Sequence, residues 1–447
     1  MPLSKAETDL IEGHRQKLMA TAVDDELLWR YYNGRQRVEQ LGMAIPPQMR
    51  RFLVIANWCR TLVDTLTSRQ QVRSLTLPGE ETADPRLRAI WDASNLSAHV
   101  SMFLTDAKVY GRAFMSVGAN ADDKALPWVR VESPRQMSAT IDAVREVVTD
   151  AVRLYGATET DPQPQSATLY MPDYTVWARL DQGRWVEVRR DNHKLGSVPV
   201  VMHLNRRMSG EWAGRSQMSD IIPFVDSAAR SLTNLQFAQE AHGVPSIWAT
   251  GVGRGDFVDA QGKPIPQFEA YFDAIKILSS KDAKWGQFTA ADLKNFETAL
   301  KIYGTQASTV TGFPARYWGI TSTNPPTEGA IRADEAQLVR SVEADNEQVG
   351  MTIGWAGALA LRFATGSWVE GNRVRTDWFD PATPTVSQRE DALAKRRASG
   401  VLSREGYWDE LGWSEARKAK EREYMRLEAL EAVGMLAPEK DPALPDG

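Results

Sequence analysis

The sequence predicts an α+β fold in which helical regions flank a central region of antiparallel strands. Apolar residues recur at helical spacing before residue 111 and again after residue 216. Between these regions, short segments rich in Val, Thr, Tyr and Trp alternate with clusters of Asp, Gly and Pro. This separation of helices from strands is typical of an α+β protein.

Three helices are predicted before residue 111. The first covers residues 10–32 and ends at the helix-breaking pair Asn33–Gly34. The second covers residues 49–66, where apolar side chains follow a helical period. The third runs over residues 85–110 and ends at Gly111.

Eight short strands are predicted next, and we expect them to form one meandering antiparallel sheet. Each is rich in β-branched or aromatic residues and is bounded by turn-forming residues. Their ranges are 112–117, 128–132, 138–142, 147–155, 167–171, 175–180, 185–190 and 199–201.

Helices dominate the rest of the chain. We predict them at 218–241, 291–310 and 330–363, with two or three more over 387–433. A compact segment at 246–288, with strand-like pieces at 246–250 and 274–278, separates the first two of these helices. A loop at 315–328 precedes the third helix, and a strand pair is predicted over 368–379.

The motifs that carry chemistry give no catalytic site. The Gly-rich run 251–256 is followed by turn formers rather than by a helix, so we interpret it as a hairpin turn and not as a phosphate-binding loop. The five histidines lack the spacing of a helical zinc site. Cys59 lies on an apolar helical face, where burial is expected. We therefore predict no enzyme activity, no metal and no cofactor.

Charge and hydropathy restrict the class of partner. The net charge of −5 argues against a protein that coats nucleic acid, because tight phosphate binding needs clustered Lys and Arg. No apolar run approaches the ~20 residues of a membrane span, so we expect no membrane contact. The first thirteen residues lack a basic stretch followed by an apolar one, so no secretory signal is expected.

A series of short motifs resembles phage portal proteins in order and spacing, above all those of long-tailed, siphovirus-type phages of actinobacteria. The motifs are Tyr31-Tyr32-Asn33-Gly34, Asn57-Trp58, Val63-Asp64, Tyr110-Gly111-Arg112, Glu132-Ser133-Pro134, Pro199-Val200-Val201, Asn205-Arg206, Gly214-Arg215-Ser216, Thr311-Gly312-Phe313-Pro314, Asn324-Pro325 and Ala330-Ile331-Arg332. Each is weak alone, but together they cover nearly the whole chain.

The resemblance implies a portal fold, with a ring of subunits, usually twelve, around an axial DNA channel. It divides the chain into wing, helical stem, small α/β clip, tunnel loop and helical crown. The wing comprises residues 1–215 and 329–384, the stem helices 216–243 and 291–312, the clip 244–290, the tunnel loop 313–328, and the crown with its tail 385–447.

The same resemblance implies partners and a location. The expected partners are other copies of the chain, double-stranded DNA in the channel, the large terminase subunit, the major capsid and scaffolding proteins, and a head–tail adaptor protein. The expected location is the portal vertex of the virion, after assembly in the host cytoplasm.

Two groups of residues are candidates for contact. In the tunnel loop, the residues expected to face DNA are Arg316, Tyr317, Trp318, Thr321, Ser322, Thr323 and Asn324. We expect Gly319 and Gly329 to let this loop shift. In the clip, the candidates for contact with a partner or DNA are Lys263, Lys276, Lys281 and Lys284.

Alternatives remain open for both groups and for the function. Tyr317 and Trp318 could instead pack against the loop of a neighbouring subunit, and the four lysines could be solvated surface. The function could instead be that of a metal-dependent nuclease that acts on DNA, or of an adaptor ring that binds only proteins and lacks a continuous channel.

Overall fold

A computed structural model gives the structure of the chain. It describes residues 2–36, 54–80, 82–158, 161–243, 247–250, 284–287, 293–320, 327–369, 373–382, 386–413 and 415–432. The chain divides into two compact units, Met1–Pro381 and Ala382–Gly447. Helices and antiparallel sheets occupy separate stretches of the first unit, which confirms the α+β prediction.

Two helices begin the first unit. Helix α1 (Lys5–Tyr32) starts at a capping box made by Ser4 and Glu7. Helix α2 (Trp58–Ser68) starts at Trp58, and residues 54–57 are not helical, so the predicted start at residue 49 is wrong. The reason is Asn57, whose side-chain oxygen accepts a hydrogen bond from the Arg60 N–H at 3.2 Å and caps the helix.

The predicted helix over residues 85–110 is two helices, α3 (Pro85–Ala93) and α4 (Leu96–Tyr110). The break lies at Asn95, which takes a left-handed conformation with φ 56°. Beside it, the Ser94 hydroxyl accepts a hydrogen bond from the Val129 N–H at 3.1 Å. A contact with a distant strand therefore accompanies the interruption, and local periodicity does not reveal it.

The predicted single sheet is two sheets. Strands β2 (Arg112–Gly118), β3 (Trp128–Glu132) and β9 (Val200–Leu204) form one, in the order β3-β2-β9. The second is a five-stranded meander of β4 to β8. Its strands are Met137–Asp142, Val147–Tyr155, Ser166–Tyr170, Thr175–Asp181 and Arg184–Asp191. Strand β2 takes the centre of the first sheet because residues 113–117 are all buried.

Helix α1 covers one face of the five-stranded sheet. Ile11 packs there against a cluster of buried apolar side chains that includes Val152, Leu169 and Val176. The His14 ring lies 2.7 Å from a carboxylate oxygen of Asp150 and adds a polar contact between helix and sheet.

Two stretches of the chain after β9 form a pair of helices. Helix α5 (Ile222–Gly243) packs against α6 (Lys294–Thr311). Between them along the chain, β10 (Ile247–Thr250) pairs antiparallel with β11 (Lys284–Gln287). The strand predicted at 246–250 is confirmed, β11 was not predicted, and the strand predicted at 274–278 lies outside the described residues.

A long helix, α7 (Glu328–Thr365), follows and packs into the main core through residues such as Ile353 and Leu359. Strand β12 (Arg375–Trp378) confirms a strand within the predicted range 368–379, but it pairs with β1 (Val72–Thr76), so the predicted pairing within that range is wrong. The partner strand β1 lies between α2 and α3, far earlier in the chain than β12.

Over its described residues, the second unit contains three helices, within the two or three predicted. They are α8 (Val386–Ala398), α9 (Arg404–Glu410) and α10 (Glu415–Ala432). The rings of Trp408 and Trp413 stack with centroids 5.7 Å apart. Within the described residues of both units, no helix is long and apolar enough to cross a membrane.

Candidate functional site

The chain between α6 and α7 contains the residues expected to face DNA. Helix α6 ends at Gly312, which has a left-handed φ of 71°. A short 3-10 helix, Ala315–Trp318, follows and ends at Gly319 with φ 80°. We call residues 313–320 the anchored segment, because side-chain contacts fix them against their own subunit.

Aromatic packing is the first of these contacts. The Trp318 side chain is buried, with its ring centroid 5.8 Å from that of Trp58 and 6.0 Å from that of Phe313. On α6, Gly304 leaves room for this packing, since a Cβ there would lie 3.0 Å from the Ile320 side chain. The indole of Trp318 is therefore covered by its own subunit and does not face outward as expected.

An ionic network is the second contact. The Arg316 guanidinium pairs with both Asp334 and Glu335 near the start of α7. Arg69 pairs with Glu335 at 3.1 Å and donates a hydrogen bond to the Tyr317 hydroxyl at 3.0 Å. The Tyr317 hydroxyl in turn donates to Glu335 at 3.1 Å. One carboxylate thus joins three side chains from two distant parts of the chain.

The pKa of Glu335 shows which effect dominates in this network. Burial raises the pKa of the carboxyl group. The charge of Arg69 and the hydrogen bonds from Arg69, Tyr317 and Arg316 lower the pKa by more than burial raises it. The net pKa is below its ordinary value. The Glu335 side chain is therefore ionised at neutral pH, and the network keeps its charge.

The middle of α7 is fixed by a second polar network. The Lys108 ammonium is buried, pairs with Asp345 at 2.5 Å and donates to the Asn205 side chain at 2.9 Å. Gln70 donates to the same Asp345 carboxylate at 2.6 Å. Burial lowers the pKa of Lys108, and the Asp345 carboxylate opposes that effect. Helix α7 is thus held to α4 by Lys108 and to the chain just after α2 by Gln70.

The structure brings together only part of the predicted site. Arg316 and Tyr317 are partly exposed, whereas Trp318 is buried. The other loop residues, Thr321, Ser322, Thr323 and Asn324, lie outside the described residues. Of the clip lysines, Lys284 lies exposed on β11, and Lys263, Lys276 and Lys281 also lie outside the described residues.

Arg69 and Glu335 belong to this site and were not identified from the sequence. Glu335 follows Asp334 within the first turns of a predicted helix, where acidic residues are common for local reasons, so the pair gave no specific signal. Arg69 is 248 residues before Tyr317 in the sequence, and only the fold brings the two side chains together. In the described parts of the chain, no group of three His, Cys, Asp or Glu residues could hold a metal ion.

Comparison with known proteins gives one family. The model for "Phage portal protein, SPP1 Gp6-like" matches residues 26–434. The portal proteins of Mycobacterium phages D29 and L5 are each 33% identical over 431 residues, covering 93% of this chain and 88% of theirs.

Solved structures with a similar chain come from gene transfer agent (GTA) particles. A chain in the neck of an empty GTA particle, computed with C6 symmetry, has 13% identity and a TM-score of 0.47, covering 88% of this chain and 94% of that one. A chain in the neck of a native GTA particle, computed with C12 symmetry, has 12% identity and a TM-score of 0.44, with the same coverage.

Proposed function

The chain belongs to the SPP1 Gp6-like family of phage portal proteins, and we propose that twelve copies form a closed ring whose axial channel passes double-stranded DNA. Membership of this family supports a role at the portal vertex of a phage capsid. In the proposed ring, DNA enters through the channel during packaging and leaves through it during ejection. A ring of this kind uses two different faces of each subunit, so the contact repeats until the circle closes.

The anchored segment is the observation that carries this proposal. Aromatic packing on Trp58 and the ion pairs of Glu335 fix residues 313–320 against α2 and α7, and α7 begins at Glu328. Every copy in a ring would present the anchored segment at the same height. We propose that 321–326, with Arg316 and Tyr317 at its base, faces the DNA, and that Trp318 supports it from inside the subunit.

The charges suit a channel that guides DNA without retaining it. Each phosphate that a free Lys or Arg neutralises adds salt-dependent affinity, which would slow translocation. Arg316 is already compensated by Asp334 and Glu335, and the whole chain carries a net charge of −5. The segment therefore offers DNA little uncompensated positive charge.

The division of the ring into working regions remains part of the proposal. We assign α5 and α6 to the stem, the β10–β11 pair to the clip, and the second unit to the crown. The clip, with Lys284 exposed on β11, would face the large terminase subunit and later the head–tail adaptor. The wing would contact the capsid and scaffolding proteins during assembly in the host cytoplasm. The role is structural, and the energy for packaging comes from the motor.

Shortening residues 321–326 tests the proposed role of the loop. We expect the shortened protein to assemble normally and to fail in packaging or retaining DNA, because the ends of the deletion are held by the anchored segment and by α7. The measurement is the yield of DNA-filled heads in a complementation assay, with ring assembly monitored by size-exclusion chromatography.

A matched control shortens the exposed turn at residues 143–145, which joins β4 to β5 in the five-stranded sheet and is not part of the chain between α6 and α7. Filled heads at the normal yield from the loop variant, or loss of assembly in it, would show that residues 321–326 do not have this role.

A further inference from the structure

A cleft of about 380 Å³ lies between the two sheets, away from the anchored segment. One wall is the end of β2 with β3, and the other is a face of the five-stranded sheet. The opposite face of that sheet is apolar and packs on α1. Because side chains alternate along a strand, the residues left to line the cleft are polar and aromatic.

A cross-strand row forms the second wall. Arg153 lies opposite Thr168, Thr168 opposite Trp177, and Trp177 opposite Arg189. All four side chains line the cleft. The row ends at Arg189 because β8 is an edge strand of this sheet.

Guanidinium groups lie over aromatic rings on both walls. Arg189 lies 4.9 Å from the ring centroid of Trp177, and on the facing wall Arg130 lies 5.6 Å from that of Trp128. Stacking on a ring holds a guanidinium in place while its edge stays open to a planar, bidentate acceptor such as a carboxylate.

The cations of the cleft differ in how far their charge is compensated. Arg153 pairs with the buried Glu132 carboxylate at 2.8 Å, and the Ser116 hydroxyl donates to that carboxylate at 2.6 Å. Arg130 and Arg189 are exposed and form no ion pair with any residue that the structure describes. Burial raises the pKa of Glu132, and the Arg130 charge opposes that effect without pairing with the carboxylate. Asp122 and Asp191 at the cleft form no ion pair with either arginine. Two positioned guanidinium groups on facing walls are thus available to a ligand.

The strand edges beside the cleft indicate the form of that ligand. Strand β3 is the edge of its sheet, and β8 is the edge of the other. Pro2 bridges to Val186 on β8, but over the described residues the outer edge of residues 188–191 has no strand partner. An extended peptide can pair with such an edge and direct alternate side chains to one face.

We propose that this cleft binds an extended acidic peptide segment of a partner protein, with carboxylates on Arg130 and Arg189. A carboxylate opposite Arg189 on an added strand would continue the row from Arg153, as an oppositely charged cross-strand pair. The cleft accommodates a few side chains and is too small for a DNA duplex, whose major groove alone is about 12 Å wide. This site is separate from the proposed DNA path and does not depend on it.

Fluorescence anisotropy with the full-length protein tests the proposal. The probe is a labelled peptide of alternating Val and Glu, and a peptide of alternating Val and Lys is its counterpart. We expect the Glu peptide to bind and the Lys peptide not to bind. The double variant Arg130→Glu with Arg189→Glu should weaken binding of the Glu peptide by about tenfold or more.

The matched control is Arg184→Glu, which changes an exposed arginine of the same β8 strand outside the cleft and should leave binding unchanged. Because all three arginines are exposed, the variants should assemble like the unmodified protein, which size-exclusion chromatography checks. Absence of binding up to about 1 mM peptide, equal binding of both peptides, or equal loss in the control would overturn the proposal. So would displacement of the peptide by a short single-stranded oligonucleotide, which would indicate a nucleic-acid site.

Discussion

At the scale of single residues, Glu335 connects the anchored segment to the rest of the subunit. Its carboxylate contacts Arg69, Arg316 and Tyr317, and its side chain is only 13% exposed. Replacing one member of a largely buried ion pair leaves the remaining charges without compensation, which costs more than the pair itself contributes. The residue therefore matters more than its surface neighbour Asp334, which is 50% exposed.

We expect Glu335→Gln to lower the free energy of unfolding by about 2 kcal/mol or more at neutral pH. The matched control is Asp334→Asn, which should cost less than about 1 kcal/mol because water screens an exposed pair. Thermal and urea unfolding of both variants give the comparison. Equal losses in the two variants would show that Glu335 has no special role.

Asp150 gives a pH-dependent prediction. Burial raises the pKa of its carboxyl group, but hydrogen bonds from His14, Thr149 and Thr140 outweigh burial and lower the pKa to about 2. A depressed pKa contributes stability that is present above the ordinary value of 3.8 and is lost as the pH falls towards 2.

We therefore expect Asp150→Asn to be less stable than the unmodified protein by about 2 kcal/mol at pH 7. The difference should stay constant down to about pH 5 and narrow below about pH 4. Urea unfolding at several pH values measures it. A difference that widens in acid would contradict the assignment of Asp150 as the ionised partner.

At the scale of elements, the sequence predicted regular stretches well and their interruptions poorly. Helices α1 and α7 were predicted because their apolar residues keep one period over many turns. The start of α2 was not, because the Asn57 side chain is also held by the Tyr32 carbonyl at the end of α1, at 3.0 Å. That contact exists only once the two helices have packed.

The division of the strands into two sheets shows the same limit. The bounds of the strands could be predicted from composition. Which strands pair could not, because it depends on burial of both faces of β2 and on its pairing with β9, which lies much later in the chain. Local patterns do not contain this information. The pairing of β12 with β1 was missed for the same reason.

The approach of β12 to α7 makes a prediction about glycines. A Cβ on Gly354 would lie 2.0 Å from the Val374 carbonyl oxygen, whereas a Cβ on Gly329, in the same helix, meets nothing within 4 Å. We expect Gly354→Ala to destabilise the protein by about 2 kcal/mol or more, because backbone must move. Gly329→Ala, at the second residue of α7, should raise the stability by less than about 0.5 kcal/mol. Thermal unfolding distinguishes these signs, and a neutral Gly354→Ala would contradict the close packing of β12 on α7.

At the level of the whole molecule, the sequence grouped the candidate residues in one stretch but did not predict their contacts. Arg316, Tyr317 and Trp318 are adjacent in sequence, so a resemblance over that stretch could identify them together. Their partners Arg69 and Glu335 lie in other elements, and only the fold shows that Arg316 is compensated and Trp318 buried. We therefore remove Trp318 from the residues proposed to contact DNA and keep Arg316 and Tyr317.

We propose above all that copies of this chain form a ring with an open axial channel. Electron-microscopy class averages of the purified protein, viewed down the particle axis, test it most directly. We expect closed rings, most of them with twelve subunits, around a channel wide enough for a DNA duplex. A stable monomer at high concentration and near-physiological salt, or a ring without a continuous channel, as expected of an adaptor that binds only proteins, would contradict it.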